Sequence, residues 1–153
     1  MRVAVFGLGY VGTVTAAMLA EQGNRVIGVD IQPEKVDTIN AGRAPFYEPG
    51  LDEVLRTVVA MGDLTATTDP VRAVRESDVS MICVGTPSAA SGRADVSAVY
   101  RAVGQMATAL EGGDSYHLVV LRSTFPPAEL DGLLETLTDL SGRQLVGSDG
   151  LGF

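Results

Sequence analysis

The sequence predicts a single α/β domain built on a doubly wound parallel sheet with helices on both faces. Short β-branched runs alternate with helical patterns from one end to the other, which implies crossover helices between strands that run the same way. The first run leads through "GLGYVG" (7–12) straight into a helical pattern and then a second strand-like run, a strand–turn–helix–strand unit. The whole is 153 residues, 46% hydrophobic and 20% charged, the size and composition of one domain with a real core.

Taken in order, "RVAVFG" is short and β-branched, as a strand should be. "VGTVTAAMLAEQG" carries Val14, Met18 and small alanines at helical spacing and stops at Gly23. "NRVIGVD" is the second strand. "PEKVDTINAG" reads as a helix with Pro33 in its first turn and Gly42 at its end. "PGLDEVLRTVVAMG" is another, with Leu51, Val54, Leu55, Val58 and Val59 as an apolar stripe. "LTATT" is a strand, Asp69-Pro70 opens the helix "PVRAVRES", and "VSMICV" is a buried strand too short for a helix. "DVSAVYRAVGQMATAL" is a helix capped by Asp95. "HLVVLR" is a strand, "PAELDGLLETLTDL" a helix stopped by Ser141-Gly142, and "QLVGS" a last short strand.

Charge and cysteine usage exclude several functions. With 19 acidic against 11 basic residues the formal charge is -8, which repels nucleic acid and anionic membrane. A phosphate ligand must then be held locally, by backbone or a helix end. One cysteine allows no internal disulfide, and a cytoplasmic setting is expected. Met1-Arg2 and the apolar stretch after it superficially resemble a secretion signal. Gly7, Gly9 and Gly12 dilute that stretch and Glu21-Gln22 ends it, so strand, turn and helix account for it better than a membrane span.

In "GLGYVG", Gly7 permits the tight turn, Gly9 lets a diphosphate approach the main chain, and Gly12 lets the helix pack close to the strand. Asp30 follows eighteen residues beyond Gly12, at the end of the second strand, where a carboxylate accepts hydrogen bonds from an adenosine ribose. A 2′-phosphate would be repelled there, which favours NAD over NADP, with Lys35 the one nearby cation that opposes the preference. A purely structural glycine turn with Asp30 as a helix cap, or an S-adenosylmethionine site, uses similar elements. In a doubly wound sheet "GTP" (85–87) and "RST" (122–124) also fall at strand carboxyl ends. Thr86 and Thr124 there either meet a ligand or cap the next elements. Cys83, inside an apolar run with no basic neighbour, is expected to be a buried, inert thiol. His117 at a strand start is expected to be structural or exposed, and a lone His and lone Cys 34 positions apart make no metal cluster.

The chain resembles the nucleotide-sugar 6-dehydrogenases, the family of UDP-glucose and GDP-mannose dehydrogenases. The resemblance lies in "FGLGYVG" (6–12), "GVD" with Lys35 following, "EPGL" (48–51), "DVSMICVGTP" (78–87) and "RST" (122–124), in order along essentially all 153 residues. "MRVAVFGLGYVG", "VSMICVGTPS" and "LSG" are most similar to its GDP-mannose branch. The resemblance implies oxidation of a sugar C6 alcohol to a carboxylate with two NAD+, through a cysteine-bound thioester. It implies cofactor contacts at Gly7, Gly9, Tyr10, Val11, Gly12, Asp30, Lys35, Thr86 and Thr124, with Thr124 beside the nicotinamide and helping to orient a hydrolytic water. Glu48 starts a helix near the cleft or caps it. The family's Pro-Gly-Thr after "RST" is here Pro127-Ala128-Glu129, which adds a methyl and a carboxylate near the nicotinamide end.

The family's central helix, sugar-binding domain, catalytic lysine and nucleophilic cysteine match nothing in residues 1–153, which read as the NAD-binding domain alone. A nucleotide sugar is therefore expected to bind only with that second half, and the domain by itself to lack turnover. A standalone dinucleotide-binding or assembly module, a different enzyme completed by another subunit, and a homodimer paired through a sheet edge or apolar face all remain open.

Overall fold

The computed structural model describes residues 1–89, 92–145 and 151–152. Its strands are β1 (Arg2–Phe6), β2 (Arg25–Val29), β3 (Leu64–Thr67), β4 (Val79–Ile82), β5 (His117–Leu121) and β6 (Leu151–Gly152). The helices are α1 (Tyr10–Glu21), α2 (Pro33–Asn40), α3 (Leu51–Met61), α4 (Pro70–Arg75), α5 (Ser97–Leu110) and α6 (Leu130–Ser141). All strand pairs are parallel, in the order β3-β2-β1-β4-β5-β6. The chain therefore winds outward from β1 in one direction, returns, and winds outward from β4 in the other. The expected doubly wound sheet is the observed one.

β1 lies at the centre and is buried on both faces, so its side chains alternate between two cores. Val3 and Val5 pack with Ala16, Ala17 and Ala20 of α1 and Leu55 and Val58 of α3. Ala4 and Phe6 pack on the opposite face with Val99, Val103 and Met106 of α5 and Leu133 and Leu137 of α6. The fully buried residues of α1, Gly12, Thr13, Ala16, Ala17 and Ala20, are all small, so its axis approaches the sheet closely, while Val14, Met18 and Leu19 pack at its flanks.

The helix ends follow local chemistry. Asp69 caps α4 by accepting the Arg72 N–H at 3.1 Å, ahead of Pro70. Gly62 and Gly142 end α3 and α6 in the left-handed region. Three boundaries differ from expectation. Asp95 accepts the Ser97 N–H at 3.0 Å from one residue outside the cap position, which Val96 occupies. Pro127–Glu129 forms a 3₁₀ turn, so the helix begins at Leu130; Pro126 and Pro127 bring no N–H and a fixed φ, which suits a tight turn. β4 stops at Ile82, where Cys83 begins to cross beneath the glycine turn. The strand expected at 144–148 falls mostly outside the described residues, and the strand paired with β5 is Leu151–Gly152. Among the described residues no helix is long and apolar enough to cross a membrane.

His117 is structural. It is 3% exposed at the start of β5, and its Nε2 lies 2.9 Å from Ser80 Oγ on β4. Burial, with the nearby Arg143 guanidinium adding to it, lowers its pKa to about 4. The unfolded chain takes up a proton near pH 6.5, whereas the folded chain refuses it until about pH 4. Stability contributed by the neutral imidazole is thus complete above about pH 6.5 and is lost as pH falls toward 4, on the order of 3 kcal/mol in all. A thermal-melt series from pH 7 to 4 should show this loss. His117→Gln should remove that part of the slope, and the single imidazole should titrate by NMR well below 6.5.

Candidate functional site

The cleft opens at the carboxyl ends of β1 and β4, where the winding direction reverses and neighbouring loops diverge. Gly7 leaves β1 with φ +92°, while its N–H still donates to the Val29 carbonyl at 2.7 Å. A Cβ there would lie 2.9 Å from Val84 Cα. Gly12 is more constrained: a Cβ would sit 1.7 Å from the Gly7 carbonyl oxygen and 3.3 Å from Cys83 Cβ. Gly12 is therefore the contact that lets α1 rest on the turn and on the end of β4. Gly9 is the opposite case, since a Cβ on it meets nothing within 4 Å and faces the cleft.

Leu8 anchors the turn from below. Its side chain is fully buried against Gly28 of β2, where a Cβ would come within 2.7 Å of Leu8 Cδ2. Its N–H donates to Asp30 Oδ2 at 2.8 Å. Asp30, 8% exposed, also accepts the Gln32 N–H on Oδ1 at 3.0 Å and pairs with Lys35 Nζ at 3.5 Å. The carboxylate thus fixes the glycine turn to the end of β2 and still borders the cleft. α1 begins above it with no side-chain cap and no acidic residue in its first turn. The N–H groups of Tyr10, Val11 and Gly12 are left without acceptors among the described residues, at the positive end of the helix.

The cleft measures about 360 Å³ and brings together Gly7, Gly9, Asp30, Lys35 and Cys83 of the residues the sequence singled out. Gly12 lies beneath it as packing. Tyr10 and Val11 are exposed at its edge, and the Tyr10 hydroxyl donates to Glu48 Oε2 at 2.6 Å while its ring lies 4.9 Å from that of Phe46. Glu48 therefore ties the segment before α3 to the glycine turn, and the cap position of α3 is Gly50. Thr86 and Thr124 do not line the cavity but meet at its rim: the Thr86 hydroxyl donates to the Thr124 carbonyl at 2.7 Å. Neither caps a helix. The Thr124 hydroxyl makes no hydrogen bond among the described residues. Ser123 adds a second tie, donating to the Val84 carbonyl at 2.7 Å.

Cys83 is 9% exposed, and burial pushes its thiol pKa up against the opposing influence of Arg122. The Glu129 carboxylate, flagged by the departure at 127–129, accepts the Tyr100 hydroxyl at 3.0 Å and so is turned toward α5. Among the described residues no three His, Cys, Asp or Glu side chains are grouped to hold a metal. The wall that sequence reasoning missed is α5, which contributes Ala98, Arg101, Ala102 and Gln105. Their i, i+3, i+4, i+7 spacing was visible, but it matches no motif and lies beside a stronger apolar stripe.

This fold and cleft define a dinucleotide-binding domain of the Rossmann type. Residues 1–147 match the UDP-glucose/GDP-mannose dehydrogenase family, NAD binding domain, and the chain belongs to that family. A GDP-mannose 6-dehydrogenase from Pseudomonas syringae pv. tomato is 41% identical over 145 residues, 94% of this chain and 33% of the relative. A UDP-N-acetyl-D-mannosamine dehydrogenase from Pyrococcus horikoshii is 39% identical over 142 residues, 93% of this chain and 33% of the relative. The crystal structure of a ternary complex of GDP-mannose dehydrogenase from Pseudomonas aeruginosa superposes with a TM-score of 0.95 at 40% identity, covering 99% of this chain and 35% of that one. A UDP-glucose dehydrogenase from Pyrobaculum islandicum gives 0.86 at 34% identity, covering 97% and 37%. The chain spans about a third of the length of the curated relatives it matches.

The two glycines separate packing from binding. Gly12→Ala should destabilise the fold by about 3 kcal/mol or more in denaturant titrations, because the clashing atom is backbone. Gly9→Ala should change stability by no more than about 0.5 kcal/mol, yet weaken NAD+ at least tenfold by calorimetry.

Proposed function

We propose that the cleft at the β1–β4 switch point holds NAD+ for a nucleotide-sugar 6-dehydrogenase, which oxidises a sugar C6 alcohol to a carboxylate in two steps. The observation that carries this is the uncapped start of α1 facing the cleft beside the open Cβ position of Gly9, with the Asp30 carboxylate at the next strand end. A diphosphate needs the first feature and an adenosine ribose the second. When bound, NAD+ supplies the hydride acceptor for each oxidation.

The chain's own residues hold and orient it. The first-turn N–H groups of Tyr10, Val11 and Gly12 take the diphosphate. Asp30 has three protein donors and about four acceptor sites, so room remains on Oδ1 for a ribose hydroxyl. Lys35 already pairs with that carboxylate, which leaves it poorly placed to welcome a 2′-phosphate. In this reading Thr86 and Thr124, linked at the rim, border the nicotinamide end, and the Thr124 hydroxyl, which makes no hydrogen bond among the described residues, orients a water there. Cys83 borders the cleft but makes a poor nucleophile, because it is largely buried and burial raises its thiol pKa. The thioester chemistry and the sugar site therefore need residues beyond these 153, and the chain alone should bind cofactor without turnover.

Calorimetry of the purified chain should show saturable NAD+ binding, with NADP+ at least tenfold weaker. Asp30→Asn should cost about tenfold or more for NAD+ and narrow the gap to NADP+. No NADH should form with GDP-mannose or UDP-glucose. A folded chain that binds neither dinucleotide would overturn the proposal in favour of a module that keeps the fold without the ligand.

A further inference from the structure

The cleft lining contains two cations, Lys35 and Arg101, in a chain whose net charge is -8. Lys35 is engaged by Asp30 at 3.5 Å. Arg101 is exposed and makes no hydrogen bond or ion pair among the described residues. The acidic group whose pKa it helps to lower, Asp95, is already held by the Ser97 N–H at 3.0 Å. An arginine uncommitted at a cleft wall is available to a ligand.

Its surroundings say which part of a ligand. A dinucleotide with its diphosphate at the start of α1 and its ribose at Asp30 places its base beyond Asp30, on the side away from Gly9. The cleft lining beyond Asp30 in sequence includes Ile31, Gln32, Val84 and the α5 stripe. Ala98 and Ala102 present only methyl groups, which leaves a low strip beside the arginine. A guanidinium is planar, weakly hydrated and attracted to the face of an aromatic ring.

We propose that Arg101 is a specificity-determining residue of the cleft, its guanidinium closing over the adenine ring while Ala98 and Ala102 form the strip beneath. This rests on the NAD+ reading given above. It assigns to α5 a role beyond packing and places adenine recognition on a helix that none of the glycine, aspartate or threonine motifs touches.

The test measures NAD+ and ADP-ribose affinities by calorimetry for the native chain, Arg101→Ala and Arg101→Lys, at low and at 0.5 M (about a 4 Å Debye length) salt. ADP-ribose keeps the adenine and lacks the nicotinamide. Arg101→Ala is expected to weaken both ligands equally, by about 3- to 10-fold. That loss should persist in high salt, and Arg101→Lys should recover only part of it. Because the side chain is exposed, melting should be unchanged. Equal affinity for native chain and Arg101→Ala would overturn the proposal. So would a loss that vanishes in high salt and is fully restored by lysine, which would reduce Arg101 to a long-range charge. A native chain that binds neither ligand would fail the NAD+ reading itself, and the native titration alone shows that.

Discussion

The hydrogen bond from the Leu8 N–H to the buried Asp30 carboxylate is the interaction on which the site depends. It joins the two strand ends that must stay in register for a turn at one and a carboxylate at the other to face the same space. A charged acceptor inside the fold is costly unless it is well supplied with donors. Leu8, Gln32 and Lys35 supply them, and the Leu8 side chain locks the same turn into the core through the gap that Gly28 leaves. Position and charge are thus set by one residue that is both structural and exposed enough to border the cleft.

The acidic character of the chain makes sense in these terms. General attraction to phosphate is absent, so affinity has to come from fixed dipoles at short range, where screening and overall charge matter little. In the proposed site that dipole is the bare first turn of α1. The neighbouring rim is braced without spending charge: Thr86, Ser123 and Thr124 join the loops after β4 and β5 through hydroxyl–carbonyl bonds.

Most of the fold was legible because parallel strands buried on both faces leave strong β-branched runs, and because glycines and Asp-Pro mark the ends of helices. The placement of Gly7, Gly9 and Gly12 in one turn and of Asp30 at the next strand end was legible for a related reason, since the strand–turn–helix–strand pattern that sets it is continuous in sequence. What was not legible depends on distant partners. Glu48 looked like a helix cap and instead meets Tyr10. Glu129 looked like an intruding charge and is satisfied by Tyr100. Arg101 gave no local sign, because only the sheet topology brings α5 over the end of β2.

The central place of β1 carries a further consequence, for how the chain assembles as it is made. β1 pairs with β2 within the first thirty residues but with β4 only after residue 79. Until then one edge of β1 exposes unpaired backbone groups, a template for wrong partners. Pairings between segments so far apart are slow to form, because a long loop must close before any contact rewards it. The half-sheet β3-β2-β1 can gather first around α1 and α3, while the cleft still lacks Cys83, Val84 and Gly85 after β4 and the wall from α5. The pairing of β4 that covers this edge of β1 is also the one that brings the far side of the cleft into place.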